Sequence, residues 1–153
     1  MPWKKGRGKL GFLAPLIGSW VAVADSPMGR VRCSRTFAQV LNGHYIELRA
    51  RWDIGPGKTY EEIALIGPTD AGEVGFWSFT SDGKRSTGLV TDVTDIQKDA
   101  IGFQAQMPAG IARMAYWPDG EDGFHWAVES KNARGWKRFT EHHYRPEQQE
   151  QAK

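Results

Sequence analysis

Residues 44–54 alternate without a break. His44, Ile46, Leu48, Ala50, Trp52 and Ile54 share one face, while Tyr45, Glu47, Arg49, Arg51 and Asp53 share the other. Apolar and charged residues segregated at a period of two describe a strand with one face in a core and one in water. The pattern returns in Ile101, Phe103, Ala105 and Met107, in Phe124, Trp126 and Val128, and in Val31, Cys33 and Phe37. Turn signals separate these runs at short intervals: Ser26-Pro27-Met28-Gly29, Leu41-Asn42-Gly43, Gly55-Pro56-Gly57, Gly67-Pro68, Ser81-Asp82-Gly83, Pro108-Ala109-Gly110, Asp122-Gly123 and Asn132 to Gly135. The strands predicted between them are 19–25, 30–40, 44–54, 58–66, 73–80, 84–93, 100–107, 110–117, 123–130 and 135–145. Connections this short join antiparallel neighbours, since a parallel pair needs a crossover of about a dozen residues. A ten-strand meander leaves two bare edges unless it closes. The expectation is therefore an all-β fold, an up-and-down antiparallel barrel of about ten strands.

One helix is expected, over residues 9–17, with Leu10, Leu13, Leu16 and Ile17 able to plug one end of the barrel. The basic start with Lys4, Lys5, Arg7 and Lys9, the uncharged stretch 10–24 and Ala22-Val23-Ala24 together trace the outline of a secretory signal. Gly11, Pro15 and Gly18 interrupt that stretch, and Val21 and Val23 suit a strand, so it reads as the first element of the fold. The organisation expected is a flexible basic segment 1–9, a single domain over 10–146 and a polar tail 147–153. Seven Trp, seven Phe and four Tyr exclude disorder for most of the chain. The lone Cys33 excludes a disulfide scaffold and a paired Cys/His zinc site, and suits a reduced, cytoplasmic setting. A net charge of +2 is too mild to imply a nucleic-acid partner, and no apolar run is long enough for a membrane helix. A homodimer is left open.

Leu13-Ala14-Pro15-Leu16-Ile17-Gly18-Ser19-Trp20 resembles the start of calycin-type barrels, in which a short helix runs into a Gly-x-Trp that seals the barrel floor. Phe37-x3-Leu41-Asn42-Gly43-His44-Tyr45, Phe76-Trp77-Ser78-Phe79, Asp82-Gly83-Lys84 and the ending Tyr144-Arg145 are similar to a bacterial lipocalin-like family of unknown function. The resemblance spans about residues 10–146. The leader also resembles nitrobindin-type haem barrels. Fatty-acid-binding proteins fit less well, since only Ser26 to Gly29 is available where they carry two helices. The resemblance implies an internal ligand site, and a floor in which Gly18 and Trp20 close the barrel beneath a cation from the last strand, Arg145 or Arg138.

Arg35 has the strand parity of Val31, Cys33 and Phe37. A buried guanidinium needs a partner, and the facing set from Ile46 to Ile54 offers no carboxylate. Arg35 either finds an ion pair elsewhere, turns out at a bulge, or holds a ligand's acid group. Arg113 and Tyr116 lie on opposite faces of their strand, and Tyr116 offers a hydroxyl if it points in. His44 begins a strand and could line a barrel mouth. His142 and His143 are adjacent, so one faces each way. Asp92 and Asp95 look solvated, Glu61 and Glu62 diverge to opposite faces, and Cys33 has no activating neighbour. No Gly-x-Ser-x-Gly elbow or phosphate loop is present. The function expected is binding of a small, mostly hydrophobic molecule inside the barrel by Arg35, His44, Trp77, Tyr116, Trp126 and His142, without metal or cofactor. One alternative is a haem barrel with His142 or His143 as axial ligand. A second is an enzyme using the same cavity.

Overall fold

The computed structural model describes residues 3–26 and 29–147. Ten strands follow one another: β1 (Gly18–Ser26), β2 (Gly29–Val40), β3 (Tyr45–Gly55), β4 (Lys58–Pro68), β5 (Val74–Thr80), β6 (Arg85–Thr91), β7 (Ile101–Met107), β8 (Gly110–Asp119), β9 (Gly123–Asn132) and β10 (Gly135–Pro146). Each is antiparallel to the next, and β1 meets β10 to close the barrel. No helix among the described residues is long and apolar enough to cross a membrane.

The predicted strands match those observed to within two residues at every boundary. β6 stops at Thr91 rather than 93 because the Asp92 carboxylate accepts the Thr94 amide at 2.8 Å and its hydroxyl at 2.7 Å, an Asx turn that replaces the ladder. Val93, 1 % exposed, then packs on the outer face of β7, where a Cβ on Gly102 would collide with its side chain. Asp95 is not simply solvated: from this loop it makes a two-pronged pair with Arg113 at 2.8 and 3.1 Å.

The predicted helix is a 3-10 turn, Gly11–Leu16, with Pro15 inside it. Pro15 withholds an amide, which suits a short 3-10 segment. Leu13 and Leu16 are completely buried and stop one end of the barrel, here termed the helix end. The basic start is tied to the barrel: Trp3 Nε1 donates to the Asp99 carbonyl at 2.9 Å, and Lys9 Nζ donates to the Gly72 carbonyl. Of the expected tail, residues 148–153 lie outside the described residues.

The closing seam is the shortest pairing, with two matched positions, Trp20 with Pro146 and Val21 with Arg145. Trp20 Nε1 donates to the Leu16 carbonyl at 2.8 Å and its ring meets Phe124 edge-on at 4.8 Å. Gly18 enters the seam at φ 137°, a conformation that favours glycine. The cation expected over Trp20 is not there. Arg145 alternates with inward Tyr144 and so points outward, to Asp119 at 3.1 Å. Arg138 lies over Trp117 at 5.1 Å.

Candidate ligand site in the barrel interior

Period-two alternation carries one residue of every strand into each interior layer. Where β2, β8, β9 and β10 face one another, the inward residues are Arg35, Tyr116, Trp126, His142 and Tyr144. Arg35 is 1 % exposed. Its Nη1 donates to the Tyr116 hydroxyl at 2.9 Å. Its guanidinium lies 4.2 Å from the centre of the Trp126 ring, and 5.7, 5.7 and 5.8 Å from those of Trp52, Tyr116 and Tyr144. Among the described residues no carboxylate comes within 4.0 Å of it. Stacked rings offset part of a cation's desolvation, but they accept few of its hydrogen bonds.

The site is short of partners. Arg35 Nε, Trp126 Nε1, His142 Nδ1 and the Tyr144 hydroxyl are all buried without a well-formed hydrogen bond, although Tyr144 interacts with Arg35, and Trp126 with Tyr116, at poorer geometry. Buried polar groups in folded proteins are paired as a rule, so imperfect pairing at four of them around one cation stands out. Burial opposes Arg35's charge, but facing Tyr116, Tyr144 and Glu62 hold its pKa above the ordinary arginine value. Burial pushes the Tyr116 hydroxyl up to about 12, so it stays neutral. Burial, reinforced by the charges of Arg35 and His143, pulls His142 down to about 4. At neutral pH its imidazole is uncharged. Burial also pushes the Cys33 thiol up to about 11, far from thiolate reactivity.

Beside this cluster lies a cavity of about 20 Å³ between Glu62, Phe76, Phe103, Met114 and Tyr116. That is room for about one water. Glu62 accepts a 2.6 Å hydrogen bond from Ser78, and Tyr116 donates weakly to Met114 Sδ at 3.7 Å. Next to the cavity the interior is tightly packed. Phe76, for example, lies so close over Gly88 that a Cβ there would collide with its ring.

Of the predicted site residues, Arg35, Tyr116, Trp126 and His142 come together. His44 does not: it sits exposed in the β2–β3 turn, its Nδ1 3.1 Å from the Leu41 carbonyl, and lines a separate cavity at the helix end with Leu10, Gln39, Ile46 and Pro68. Trp77 does not either. In β5 Val74, Phe76 and Ser78 face in, so Trp77 faces out, with its ring 6.4 Å from that of Tyr45. Aromatics on both faces of Phe76-Trp77-Ser78-Phe79 hide the parity of that strand. His143 points outward. Sequence reasoning missed Trp52, Glu62, Ser78 and Tyr144 as site residues. Trp52 carried a signal in its parity with Ile46 and Leu48. Glu62 carried one in its parity with Ala64 and Ile66.

No protein-family model matches the chain, and no curated protein is significantly similar to it.

Proposed function

We propose that the protein binds a small, mostly apolar molecule bearing one acidic group, enclosed in the barrel with the acid on Arg35. The observation that carries this reading is the buried guanidinium with no carboxylate within 4.0 Å, Glu62 acting on it only from a distance, and an Nε that no acceptor meets. A ligand carboxylate would accept from Nε and a terminal nitrogen in the paired geometry arginine favours. Trp126 Nε1 and the Tyr144 hydroxyl are further donors to the same group. The ring walls exclude water and strengthen that pair. Space for the apolar body must come from displaced side chains. Met114, unbranched and adaptable, borders the cavity, and half-buried Trp52 flanks Arg35 toward the end opposite the helix. An internal ligand site is also what the resemblance to lipocalin-like barrels implies.

Competition against an environment-sensitive fluorophore tests this with octanoic acid and its methyl ester. Loss of the charge-assisted pair is expected to weaken the ester by about 1.5–3 kcal/mol, roughly ten- to a hundredfold. Equal affinities would remove Arg35 from the site.

The haem alternative meets a poorer fit. A neutral His142 is chemically suited to iron, but its ring packs 5.1 Å from Trp126 and 6.1 Å from Tyr144. The residues as packed leave no space for a porphyrin. A stoichiometric Soret band on adding haemin, abolished by His142→Ala, would favour haem over the acid ligand.

A further inference from the structure

The outer face of β8, β9 and β10 carries a second cluster, separate from the interior. His125 and His143 are directly opposite one another on β9 and β10, their ring centres 4.4 Å apart. Asp119 flanks the pair on the helix-end side. Its Oδ1 is 3.4 Å from His125 Nε2 and its Oδ2 is 3.1 Å from His143 Nδ1. Glu141 flanks the pair on the other side. Its Oε2 is 3.4 Å from His125 Nδ1 and 3.5 Å from His143 Nε2. Each imidazole thus turns one nitrogen to Asp119 and the other to Glu141.

We propose that Asp119, His125 and His143 form a site for a divalent first-row transition metal such as Zn²⁺, with Glu141 as the carboxylate that orients both imidazoles. The three ligand atoms all lie within 4.8 Å of one another. Ligand atoms around a tetrahedral zinc bonded at about 2.0–2.1 Å stand about 3.4 Å apart, so the observed separations need only small rotamer adjustments. Two imidazoles and one carboxylate suit Zn²⁺, Ni²⁺ or Cu²⁺ rather than Mg²⁺ or Ca²⁺, which take oxygen ligands. Three protein ligands leave a coordination position for water.

The surroundings hold the set in place. Trp117 stacks on His125 at 5.0 Å with the rings 11° from parallel. Arg138 holds Glu141 Oε1 at 2.9 Å, which leaves Oε2 to face the histidines. Arg145 Nη1 lies 3.1 Å from Asp119 Oδ2, so Oδ1 is the oxygen open to a metal. His125 Nδ1 is buried without a hydrogen bond, although Glu141 is near it. A metal on Nε2 fixes the proton on Nδ1 and draws Glu141 into the carboxylate–histidine–metal arrangement that supports such ligands. The sequence separates these residues by up to 24 positions, and only the pairing of three strands assembles them.

Titration of the untagged chain with Co²⁺, followed by visible absorption and Zn²⁺ displacement, tests the site. The expected result is one Co²⁺ per chain, released by one equivalent of Zn²⁺. His125→Ala and His143→Ala should each weaken binding at least tenfold. Glu141→Gln should weaken it ten- to a hundredfold. His44→Ala, remote and exposed, should leave it unchanged. Circular dichroism and melting confirm that each variant is folded. Asp119→Asn, similar in shape, gives the same test should a histidine variant fail. No saturable binding, or binding that persists in folded His125→Ala and His143→Ala proteins, would overturn the site.

Discussion

Arg35 brings a full positive charge into the barrel and meets rings and one hydroxyl rather than a carboxylate. Replacing even a buried ion pair by hydrophobic side chains of similar volume is often neutral, or stabilising by about 1–4 kcal/mol, and a cation with no carboxylate within 4.0 Å has less attraction to lose. Arg35→Met is therefore expected to hold or raise stability in urea unfolding while weakening acid binding. A loss of more than about 1 kcal/mol would show that the aromatic box and Tyr116 already satisfy the cation. His142 yields a pH signature. The folded protein keeps it neutral down to about pH 4, whereas an unfolded chain protonates it near pH 6.5. Between those values the unfolded state binds more protons, so stability falls as the pH drops through the window. The loss deepens as the pH approaches 4. His142→Gln should flatten the profile there, and an unchanged profile would contradict a buried neutral imidazole. The inward placement of Arg35 was legible from its parity with Cys33 and Phe37. The outward placement of Trp77 was not, because β5 carries aromatics on both faces.

At the scale of elements, the strands were legible because almost every boundary is a turn chemistry: Asn42-Gly43, Pro56-Gly57, Asp82-Gly83, Gly135. The spacing of Leu10, Leu13, Leu16 and Ile17 predicts a longer helix than the 3-10 turn Gly11–Leu16, because it carries no signal of how tightly the backbone winds. That β1 and β10 meet was legible from the bare edges an open meander would leave, but the register and the brevity of their seam were not. Its closeness depends on the accumulated twist of ten strands, and only two positions match there. Trp20 stands at that seam, bonded to Leu16 and packed on Phe124. Trp20→Ala is expected to cost about 3 kcal/mol, in line with large aromatic truncations in cores. Native-state hydrogen exchange should place the effect. Amides of β1 and β10 should lose protection first, ahead of β3–β4, the long hairpin with paired positions from Ile46 to Gly55. Uniform loss across the barrel, or a cost below about 1 kcal/mol, would show that the seam is not where the barrel opens.

In the whole molecule, one barrel wall carries two separate clusters. The inner face of β8–β10 supplies Tyr116, Trp126, His142 and Tyr144 to Arg35. The outer face supplies Asp119, His125, His143 and Glu141 to one another. Adjacent residues serve opposite sides, as His142 and His143 show most plainly. The split of the histidine pair follows from period two alone, and the all-β barrel from period two, the short turns and the two edges that closure removes. The pairing of Asp119 with His143 and the filling of the interior are tertiary outcomes that no local pattern encodes. The acid proposed to pair with the interior cation would sit on the Arg35 Nε–H, which ¹⁵N–¹H NMR observes directly during titration with octanoate. Its resonance is expected to move and saturate at one equivalent, with methyl octanoate leaving it in place. Octanoate that binds, as seen by changes elsewhere in the spectrum, while the Arg35 signal stays fixed would remove the acid from Arg35.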